Sequence, residues 1–452
     1  MCRAHRVAMS RPFPLLLLVS MPVILRVVAL LAALVPALMV FVGAAAFELG
    51  FWTLALLALL AFLGAGFTLL RFAERHLTRR GLSASGAPNV RWWLGGGVAV
   101  YALLAQLLVG RAPARTIADP PTSDRTQYWT LGNGSRIAYE MVGAAGGARG
   151  APIVVLHDGP GMPILPFLQA VGRRPLDFAA VEGHDVYYYD QLGAGLSGRL
   201  DLTTDAPYSV ARHVGDLEEI RRAIGAPRMI LAGTGWGATL AVNYLLQHPE
   251  HVESVILESP AAIWAPAWPE TISPTARARM TDVQASALAA LERPPLRLVI
   301  GRMMADVSPR SAHTIVADWE ADQWWTRATE EAIRLGQPNL TCFSDPGQGI
   351  PPPSGLGFFA NSYTLADALS LPDPRPTLQT LRVKALVIRG MCDYADWTIS
   401  AEYPQVIRGT HTVAIPAAGH FVWLEQPALY SEVVRAFLRG EPIPLAAYSP
   451  VK

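Results

Sequence analysis

The chain has 452 residues, of which 51% are apolar and 16% are charged, and its mean hydropathy is +0.27. This length exceeds one ordinary domain, and the hydropathy is high for a wholly soluble protein. Residues 1–111 hold ten arginines and two glutamates, so the rest of the chain carries 27 basic and 34 acidic residues, a balance of −7. A mildly acidic remainder gives no reason to expect a nucleic-acid partner.

Three nearly uncharged stretches begin the chain, at residues 27–47, 51–70 and 92–109. Each is close to the ~20 residues that cross a bilayer, and a single signal peptide does not explain three of them. They predict a membrane anchor of three transmembrane helices over residues 1–111. A further apolar stretch at residues 14–25 is short for a span, but it would add a fourth.

The arginines indicate how these helices are oriented. Four arginines precede the first helix and five lie between the second and the third, whereas the turn at Glu48 has none. Cytoplasmic loops carry the excess of basic residues. Three spans therefore place everything after residue 109 on the extracytoplasmic side, and a fourth span would reverse that side. We expect a multi-pass membrane protein with an external domain.

The part of the chain after the anchor alternates between strand and helix patterns. Residues 112–127 are rich in Pro, Ala, Asp and Thr without periodicity and predict a linker. Residues 128–131 and 136–140 flank a Gly-Asn-Gly turn, which is typical of a hairpin. Residues 153–156 and 186–189 are short apolar runs that end in glycine-rich turns. This alternation predicts an α/β fold with an open, mostly parallel sheet.

The sequence G-T-G-W-G at residues 233–237 is the most informative motif of the chain. It follows an apolar run and precedes a helical pattern, as in the G-x-S-x-G turn that lifts a nucleophilic serine above a sheet. Its central residue is Gly235, for which the awkward backbone of such a turn has no steric cost. The reactive hydroxyl is absent. A tight strand-to-helix turn without any chemistry is the alternative that this motif alone leaves open.

Several motifs in order resemble the proline iminopeptidase group of α/β-hydrolases, over roughly residues 128–439. Residues 157–161, H-D-G-P-G, resemble the H-G-G-P-G turn of that family, and residues 190–197, D-Q-L-G-A-G-L-S, resemble its D-Q-x-G-x-G-x-S. Residues 233–240 match G-x-S-W-G-x-T-L except at the serine. Residues 387–394 and the pair Gly419-His420 resemble the segments that carry the acid and the histidine of a catalytic triad.

The resemblance implies an α/β-hydrolase fold with helices on both faces of the sheet. It implies a core at residues 128–260 and 381–440, a helical cap at 261–380 and a C-terminal tail at 441–452. The cap is rich in tryptophan, at Trp264, Trp268, Trp319, Trp324 and Trp325. Trp319 and Glu320 resemble a pair that places a carboxylate on the free α-amine of a substrate. This implies a small-molecule or peptide ligand with a free amine, whereas a solvated helix face is the alternative for Glu320.

The resemblance also implies roles for the residues around the turn. His420 would be the general base and Asp393 would fix its tautomer, with Asp396 as the alternative acid. The backbone N–H groups of Trp236 and of Asp158 or Gly159 would form the oxyanion hole. We expect no metal and no cofactor.

Two residues depart from the family pattern, Gly235 at the nucleophile and Asp158 in the H-G-G-P-G turn. Without a hydroxyl no acyl-enzyme forms, and a carboxylate near the oxyanion hole disfavours an oxyanion. We therefore expect a membrane-anchored hydrolase homologue in which serine hydrolysis is lost or replaced. The residues leave open a ligand binder, a site in which His420 activates water with Asp158 as a partner acid, and Ser259 as a substitute nucleophile.

Two further alternatives remain open for the function. In the first, the chain is an active hydrolase or aminopeptidase whose serine is mutated to Gly235. In the second, it is a non-catalytic membrane scaffold. Three cysteines, Cys2, Cys342 and Cys392, show no metal-binding spacing. We expect the last two to be unpaired core residues, with a bridge between them as the alternative in an oxidising compartment.

Overall fold

The computed structural model describes residues 15–82, 90–106, 112–202, 208–267, 281–283, 286, 293–336, 341–342 and 350–448. The chain forms two compact units, one of residues 1–113 and 295–317 and the other of residues 114–294 and 318–452. The predicted cap is thus divided, because residues 295–317 belong with the N-terminal helices. Trp268 lies outside the described residues.

The first unit contains helices α1 (Leu15–Gly43), α2 (Phe51–Arg79) and α3 (Val90–Ala105). Helix α1 from Met21 onward, with the short turn after it, and helix α2 are long and apolar enough to cross a membrane, and α3 is a shorter apolar helix. The described part of the stretch at 14–25 is not a separate element, because α1 runs without interruption from Leu15 to Gly43. Helix α1 therefore covers the described part of the additional apolar stretch and residues 27–43 of the first predicted span, and the short turn at residues 44–47 completes that span.

Two short helices of the same unit, α7 (Leu296–Ala305) and α8 (Pro309–His313), lie within the predicted cap. The hydroxyl of Ser311 donates to the carbonyl of Ala45 at 2.9 Å, and Arg310 pairs with Glu48. The turn between α1 and α2 therefore contacts helix α8 directly.

The second unit is built on an eight-stranded sheet with the order β1-β2-β4-β3-β5-β6-β7-β8. The strands are β1 (Gln127–Thr130), β2 (Arg136–Val142), β3 (Ile153–Leu156), β4 (Val186–Tyr189), β5 (Met229–Thr234), β6 (Val252–Glu258), β7 (Lys384–Gly390) and β8 (Thr410–Ile415). Strand β2 pairs antiparallel with β1 and β4, and all the other pairs are parallel. This confirms the predicted α/β fold with a mostly parallel sheet.

Helices cover the sheet and connect its parallel strands. They are α4 (Leu165–Val171), α5 (Val210–Ile224), α6 (Trp236–Gln247), α9 (Asp318–Gly336), α10 (Phe358–Ser370), α11 (Arg375–Leu378), α12 (Trp397–Val406), α13 (Val422–Glu425) and α14 (Pro427–Arg439). The central strands and the apolar faces of α4 and α14 share one buried cluster. Strands β3 and β4 are buried at every position. Their sequences are continuous apolar runs because such strands are covered on both faces. The turns after β3, β5, β7 and β8 consequently meet at one edge of the sheet.

Cys342 and Cys392 form a disulfide, with 5.7 Å between their Cα atoms. The expectation that they are unpaired is therefore wrong, and their separation of 50 residues carried no local signal. The Cys342 N–H donates to one oxygen of Glu425 at 2.6 Å, and the other oxygen accepts from the Gly419 N–H at 2.5 Å. The disulfide thus joins residue 342 to the turn that carries Asp393, and the hydrogen bonds of Glu425 join it to the turn that carries His420.

We expect removal of this bridge by Cys342→Ser/Cys392→Ser to lower the free energy of unfolding by about 2–4 kcal/mol, because closing a loop of this length restricts the unfolded chain. The measurement is denaturant unfolding of the full chain in detergent, with and without a reductant. The double variant serves as the control, since a reductant should not change its curve. An unchanged curve for the reduced native chain would mean that the bridge contributes nothing.

Candidate active site

The turn between β5 and α6 holds Gly235 with φ 52° and ψ −117°, a combination that L side chains rarely adopt. The flanking glycines are required by close packing. A Cβ at Gly233 would overlap the backbone of Gly237, and a Cβ at Gly237 would overlap the carbonyl of Leu156. The turn thus has the tight strand-to-helix form that the motif predicts, with the backbone of position 235 directed to the edge of the sheet.

The carboxylate of Asp158 occupies the space above Gly235. Its Oδ1 atom accepts hydrogen bonds from the N–H groups of Trp236 at 2.9 Å and Gly159 at 2.7 Å. These are donors that the sequence assigned to the oxyanion hole. A Cβ at position 235 would overlap the same carboxylate. The two departures from the family pattern are therefore sterically coupled, since the glycine makes room for the aspartate.

His420 lies between two carboxylates. Its Nδ1 is 3.0 Å from Oδ1 of Asp393, and its Nε2 is 3.3 Å from Oδ2 of Asp158. Ionised carboxylates only accept hydrogen bonds, so each ring nitrogen must donate and the ring is an imidazolium. In this arrangement His420 has no lone pair with which to act as a base.

Electrostatics support the same protonation state. Burial disfavours the charged ring, but Tyr394, Asp393 and Asp158 outweigh burial and hold the pKa of His420 well above its usual value. Burial likewise opposes the ionised form of Asp158, but His420 and the two backbone N–H groups keep the pKa of this carboxyl below its usual value. The pKa of Asp393 is lowered against burial by His420 and Arg389. The three groups together carry a charge of −1.

Asp393 lies beside Arg389, a residue that the sequence analysis did not assign to the site. Its side chain is fully buried, and Nε lies 3.8 Å from Oδ2 of Asp393. Its Nη1 donates to the carbonyl of Asp396 at 2.8 Å and to the hydroxyl of Ser400 at 2.9 Å. The side chain of Asp396 itself caps α12. Of the two candidate acids, Asp393 is therefore the one in contact with His420.

A second pair that the sequence reasoning did not assign, His157 and Gln191, fixes the backbone of Asp158. The Gln191 N–H donates to Nε2 of His157 at 2.8 Å, so Nδ1 carries the proton and donates to the carbonyl of Asp158 at 2.7 Å. Burial lowers the pKa of His157 to about 4, which keeps the ring neutral. The side-chain oxygen of Gln191 accepts from Trp236 Nε1 at 3.0 Å. The D-Q and H-D motifs are thus parts of one scaffold.

The predicted cap residues lie in helix α9. Glu320 is buried in its first turn, and Trp319 lines a cavity of about 490 Å³ that Asp318 and Asp322 also line. Burial raises the pKa of Asp322 to about 6, although Arg199 pairs with it at 3.2 Å. The lining of this cavity does not include Gly235, Asp158 or His420.

Two other candidates lack the required contacts. Ser259 is buried with φ 41°, and within the described part of the chain its hydroxyl makes no hydrogen bond, so it is not activated by His420. Glu218, His248 and His251 lie close enough to hold a metal ion. However, the carboxylate of Glu218 already accepts hydrogen bonds from Arg221, Arg222 and Tyr244. This donor set fits an ion-pair network rather than a metal site.

We expect the His420 ring to stay doubly protonated well above pH 6.5, and Asp158→Asn to lower its pKa because one of the two carboxylates is lost. Since the pKa in the folded chain is raised, this ion pair stabilises the fold below pH 6.5, and that contribution disappears as the pH rises through the folded value. The measurement is a ¹⁵N titration of labelled histidines, assigned with His420→Gln. A ring that titrates near 6.5 in the native chain would contradict the expectation.

Comparison with known proteins identifies the fold family of the chain. Residues 151–427 match the model of the alpha/beta hydrolase fold family. The chain is 35% identical over 152 residues to the proline iminopeptidase of Heyndrickxia coagulans, covering 33% of this chain and 48% of that protein. It is 38% identical over 114 residues to the proline iminopeptidase of Lactobacillus delbrueckii subsp. bulgaricus, covering 25% and 37%. The chain therefore spans about half or less of the length of these curated relatives.

Among the solved structures that the chain resembles is the proline iminopeptidase of Mycobacterium smegmatis, with 19% identity, a TM-score of 0.44, and coverage of 70% of this chain and 98% of that one. The family match covers more than half of the chain and includes the turns of Asp158, Gly235, Asp393 and His420. The chain belongs to the α/β-hydrolase fold family, and its sequence is most informative where it departs from the proline iminopeptidases that it resembles.

Proposed function

We propose that this chain is a membrane-anchored, proline iminopeptidase-like α/β-hydrolase in which a carboxylate and an imidazolium, Asp158 and His420, replace the serine mechanism. Peptides and esters are then not cleaved through an acyl-serine. The single observation that carries the proposal is the position of the Asp158 carboxylate, which receives both N–H groups of the oxyanion hole and contacts Nε2 of His420. A serine hydroxyl and a substrate oxyanion would both need this space.

The steric coupling of positions 158 and 235 argues against an isolated mutation of an ordinary serine enzyme. A single change from serine to glycine would leave an empty space above the turn. Here the space is filled by a carboxylate that has three hydrogen-bonding partners: Gly159, Trp236 and His420. Because even a partly buried carboxylate is costly without such partners, the site is built around Asp158.

The external location of the sheet domain is part of the proposal. The contact between Ser311 and Ala45 supports it, because the α1–α2 turn and residue 311 must share one side of a membrane. With an odd number of spans, the chain that follows the anchor lies on the same side as the α1–α2 turn. The turn at Glu48 lacks basic residues, which favours the external side.

A ligand with a free amine remains part of the proposal for the cavity at Trp319. An ammonium group there would meet an aromatic face and the carboxylates of Asp318 and Asp322. The role of Glu320 in holding that amine rests on the resemblance of the Trp319-Glu320 pair alone.

The test is labelling of the full chain by a fluorophosphonate probe, together with hydrolysis of amino-acid arylamides. We expect no labelling and no turnover by the native chain. The double variant Asp158→Gly/Gly235→Ser restores the family residues at both positions, and we expect it to be labelled and to hydrolyse about 10²-fold faster than the native chain or more. The same double variant with His420→Gln is the matched control and should lose this gain.

A membrane-impermeant probe applied to intact cells of an expression host tests at the same time on which side of the membrane the sheet domain lies. Labelling of the double variant in intact cells is expected for an external domain. Labelling that appears only after lysis would overturn the proposed side, and labelling of the native chain would overturn the loss of serine chemistry.

A further inference from the structure

We propose that helices α1, α2 and α3 form a binding site for one acyl chain of a bilayer phospholipid. The site is a cavity of about 550 Å³ whose described lining belongs to these three helices. The inference goes beyond the chemistry of the sheet edge and rests on the proposed function only for the membrane anchor. It assigns a ligand to a part of the chain that otherwise serves as an anchor.

The walls of the cavity are apolar. They are formed by leucines and valines of α1 and α3, by the ring of Phe62 on α2 and by the backbone of two glycines on α3. None of the described lining residues is charged, and their polar side-chain atoms belong to Trp92, Trp93 and Tyr101. The Tyr101 hydroxyl already donates to the carbonyl of Ala55 at 3.4 Å. Such a lining favours a hydrocarbon, because a polar ligand would lose hydrogen bonds on entering.

Two neighbouring glycines of α3 have different surroundings. A Cβ at Gly97 would lie 2.9 Å from a methyl group of Leu30, so the close approach of α1 and α3 requires a glycine there. At Gly96, no atom lies within 4 Å of the position of a Cβ. Packing of the described residues therefore brings the helices together at Gly97 and leaves space beside Gly96, which lines the cavity.

The mouth of the cavity opens sideways, between α1 and α3. Leu31 of α1 and Trp92 and Val100 of α3 line the cavity and are also 57%, 78% and 55% exposed. Residues that both line a cavity and are exposed mark its opening. Because α1 crosses the membrane in the proposed arrangement, this opening faces hydrocarbon rather than water. The occupant of the cavity must therefore come from the bilayer.

The length of the cavity matches one lipid chain. Along α3 the lining runs from Trp92 to Leu104, which is about 18 Å at 1.5 Å per residue. One leaflet of the hydrocarbon core is about 15 Å deep. On α1 the lining runs from Val27 to Leu34 and stops well before the helix ends at Gly43. The cavity therefore lies within the leaflet on the side of the α1 N-terminus.

An ion pair lies at the end of the cavity nearest that membrane surface. Nε and Nη2 of Arg26 donate to the two carboxylate oxygens of Glu74 at 2.6 and 3.1 Å. The same guanidinium lies 5.5 Å from the ring centre of Trp93, which lines the cavity. The two charges satisfy each other, so this pair offers no cation to an anionic head group.

The head group of the ligand consequently stays outside the cavity. The exposed indole of Trp92 is at the mouth, and tryptophans prefer the level of lipid head groups. A phospholipid can leave its head group at that level while one of its chains enters. A free fatty acid would bring a carboxylate to a mouth where the described lining holds no cation. The geometry thus favours a chain that belongs to a bilayer phospholipid.

The experiment compares the lipid retained by the full native chain and by two matched variants. Each chain is reconstituted into vesicles of dioleoylphosphatidylcholine, transferred to detergent and weighed by native mass spectrometry. We expect one phospholipid per native chain. Gly96→Phe places a ring in the cavity and should retain about 10-fold less lipid or lower still. Gly95→Phe adds the same ring to the same helix, at a position that does not line the cavity, and should retain the native amount.

A phosphatidylcholine with a diazirine at the end of one acyl chain locates the occupant in the same vesicles. We expect a crosslink to the peptide that contains Tyr101 in the native chain and in Gly95→Phe, and its loss in Gly96→Phe. Val100→Trp, which narrows the mouth, is the second variant if Gly96→Phe is not monodisperse. It should lose the same crosslink.

Equal retention and equal crosslinking in the native chain and Gly96→Phe would overturn the site, since the lipid would then lie on the outer surface of the helices. A lipid-free dimer in light scattering would overturn it in favour of a second copy that covers the mouth. Retention of added oleic acid in place of the phospholipid would overturn the assigned source. Release of the chain from membranes by alkaline carbonate would overturn the anchor and the site together. The proposed loss of serine chemistry would stand in each case, because it is read from the fluorophosphonate probe.

Discussion

Gly235→Ala is expected to lower the free energy of unfolding by about 3 kcal/mol, because the new Cβ is strained at φ 52° and overlaps the Asp158 carboxylate. In the Asp158→Gly background the same substitution should cost only about 1–2 kcal/mol, since the strain remains and the overlap is gone. The difference is the coupling between the two positions. The measurement is denaturant unfolding of the four chains of this double-mutant cycle.

Gly134→Ala provides the matched control for this cycle. Gly134 has φ 87°, and no atom lies within 4 Å of the position of its Cβ, so the substitution adds strain without overlap. Its cost should be the same with and without Asp158→Gly. A cycle at position 235 that is additive within about 0.5 kcal/mol would show that the glycine does not serve to accommodate Asp158.

Arg389→Leu is expected to lower the free energy of unfolding by about 3–5 kcal/mol, because it removes one of the two cations beside the buried carboxylate of Asp393, the other being the His420 imidazolium, and leaves the buried acceptors of Arg389 without their donor. Arg389 is fully buried and donates to the carbonyl of Asp396 and the hydroxyl of Ser400. The loss should be measured by denaturant unfolding, following the sheet domain by tryptophan fluorescence.

The matched control is Arg375→Leu, which also removes an arginine that lies beside a carboxylate. Arg375 pairs with Asp373 and Glu402 but its side chain is 30% exposed, so water screens the pair. The expected loss there is about 1 kcal/mol or less. Equal losses for the two substitutions would mean that burial does not set the contribution of Arg389.

The local sequence patterns predicted the sheet well because they are short-range. Strands β3 and β4 are continuous apolar runs that end in glycine-rich turns, and the helix predicted after the turn begins at Trp236, directly after Gly235. Helix α1 was harder to delimit, since periodicity does not separate two short apolar stretches from one helix of 29 residues. The division of the cap was not predictable in this way, because residues 295–317 join the N-terminal helices through packing rather than through a motif.

The residues of the candidate site were identifiable because the turns that carry them keep their order along the chain. Their hydrogen-bonding partners and protonation states were not identifiable from the sequence. Asp158 was expected to disfavour an oxyanion, and its carboxylate in fact accepts from the N–H groups of Gly159 and Trp236, which the sequence alone did not predict. His420 was expected to be a base, but a second carboxylate at 3.3 Å makes it an imidazolium. The D-Q motif was recognised as a resemblance, whereas its contact with His157 depends on the register of two turns.

The sequence by itself determined the fold family, the glycine-rich turn around Gly235 and the apolar N-terminal helices, because each follows from composition or from residues close together in the chain. The tertiary structure alone decided that the Asp158 carboxylate fills the space above Gly235, that Cys342 pairs with Cys392, and that Arg389 lies behind Asp393. These contacts join residues that are distant in the chain or depend on a side-chain direction. Only folding brings such atoms within hydrogen-bonding distance.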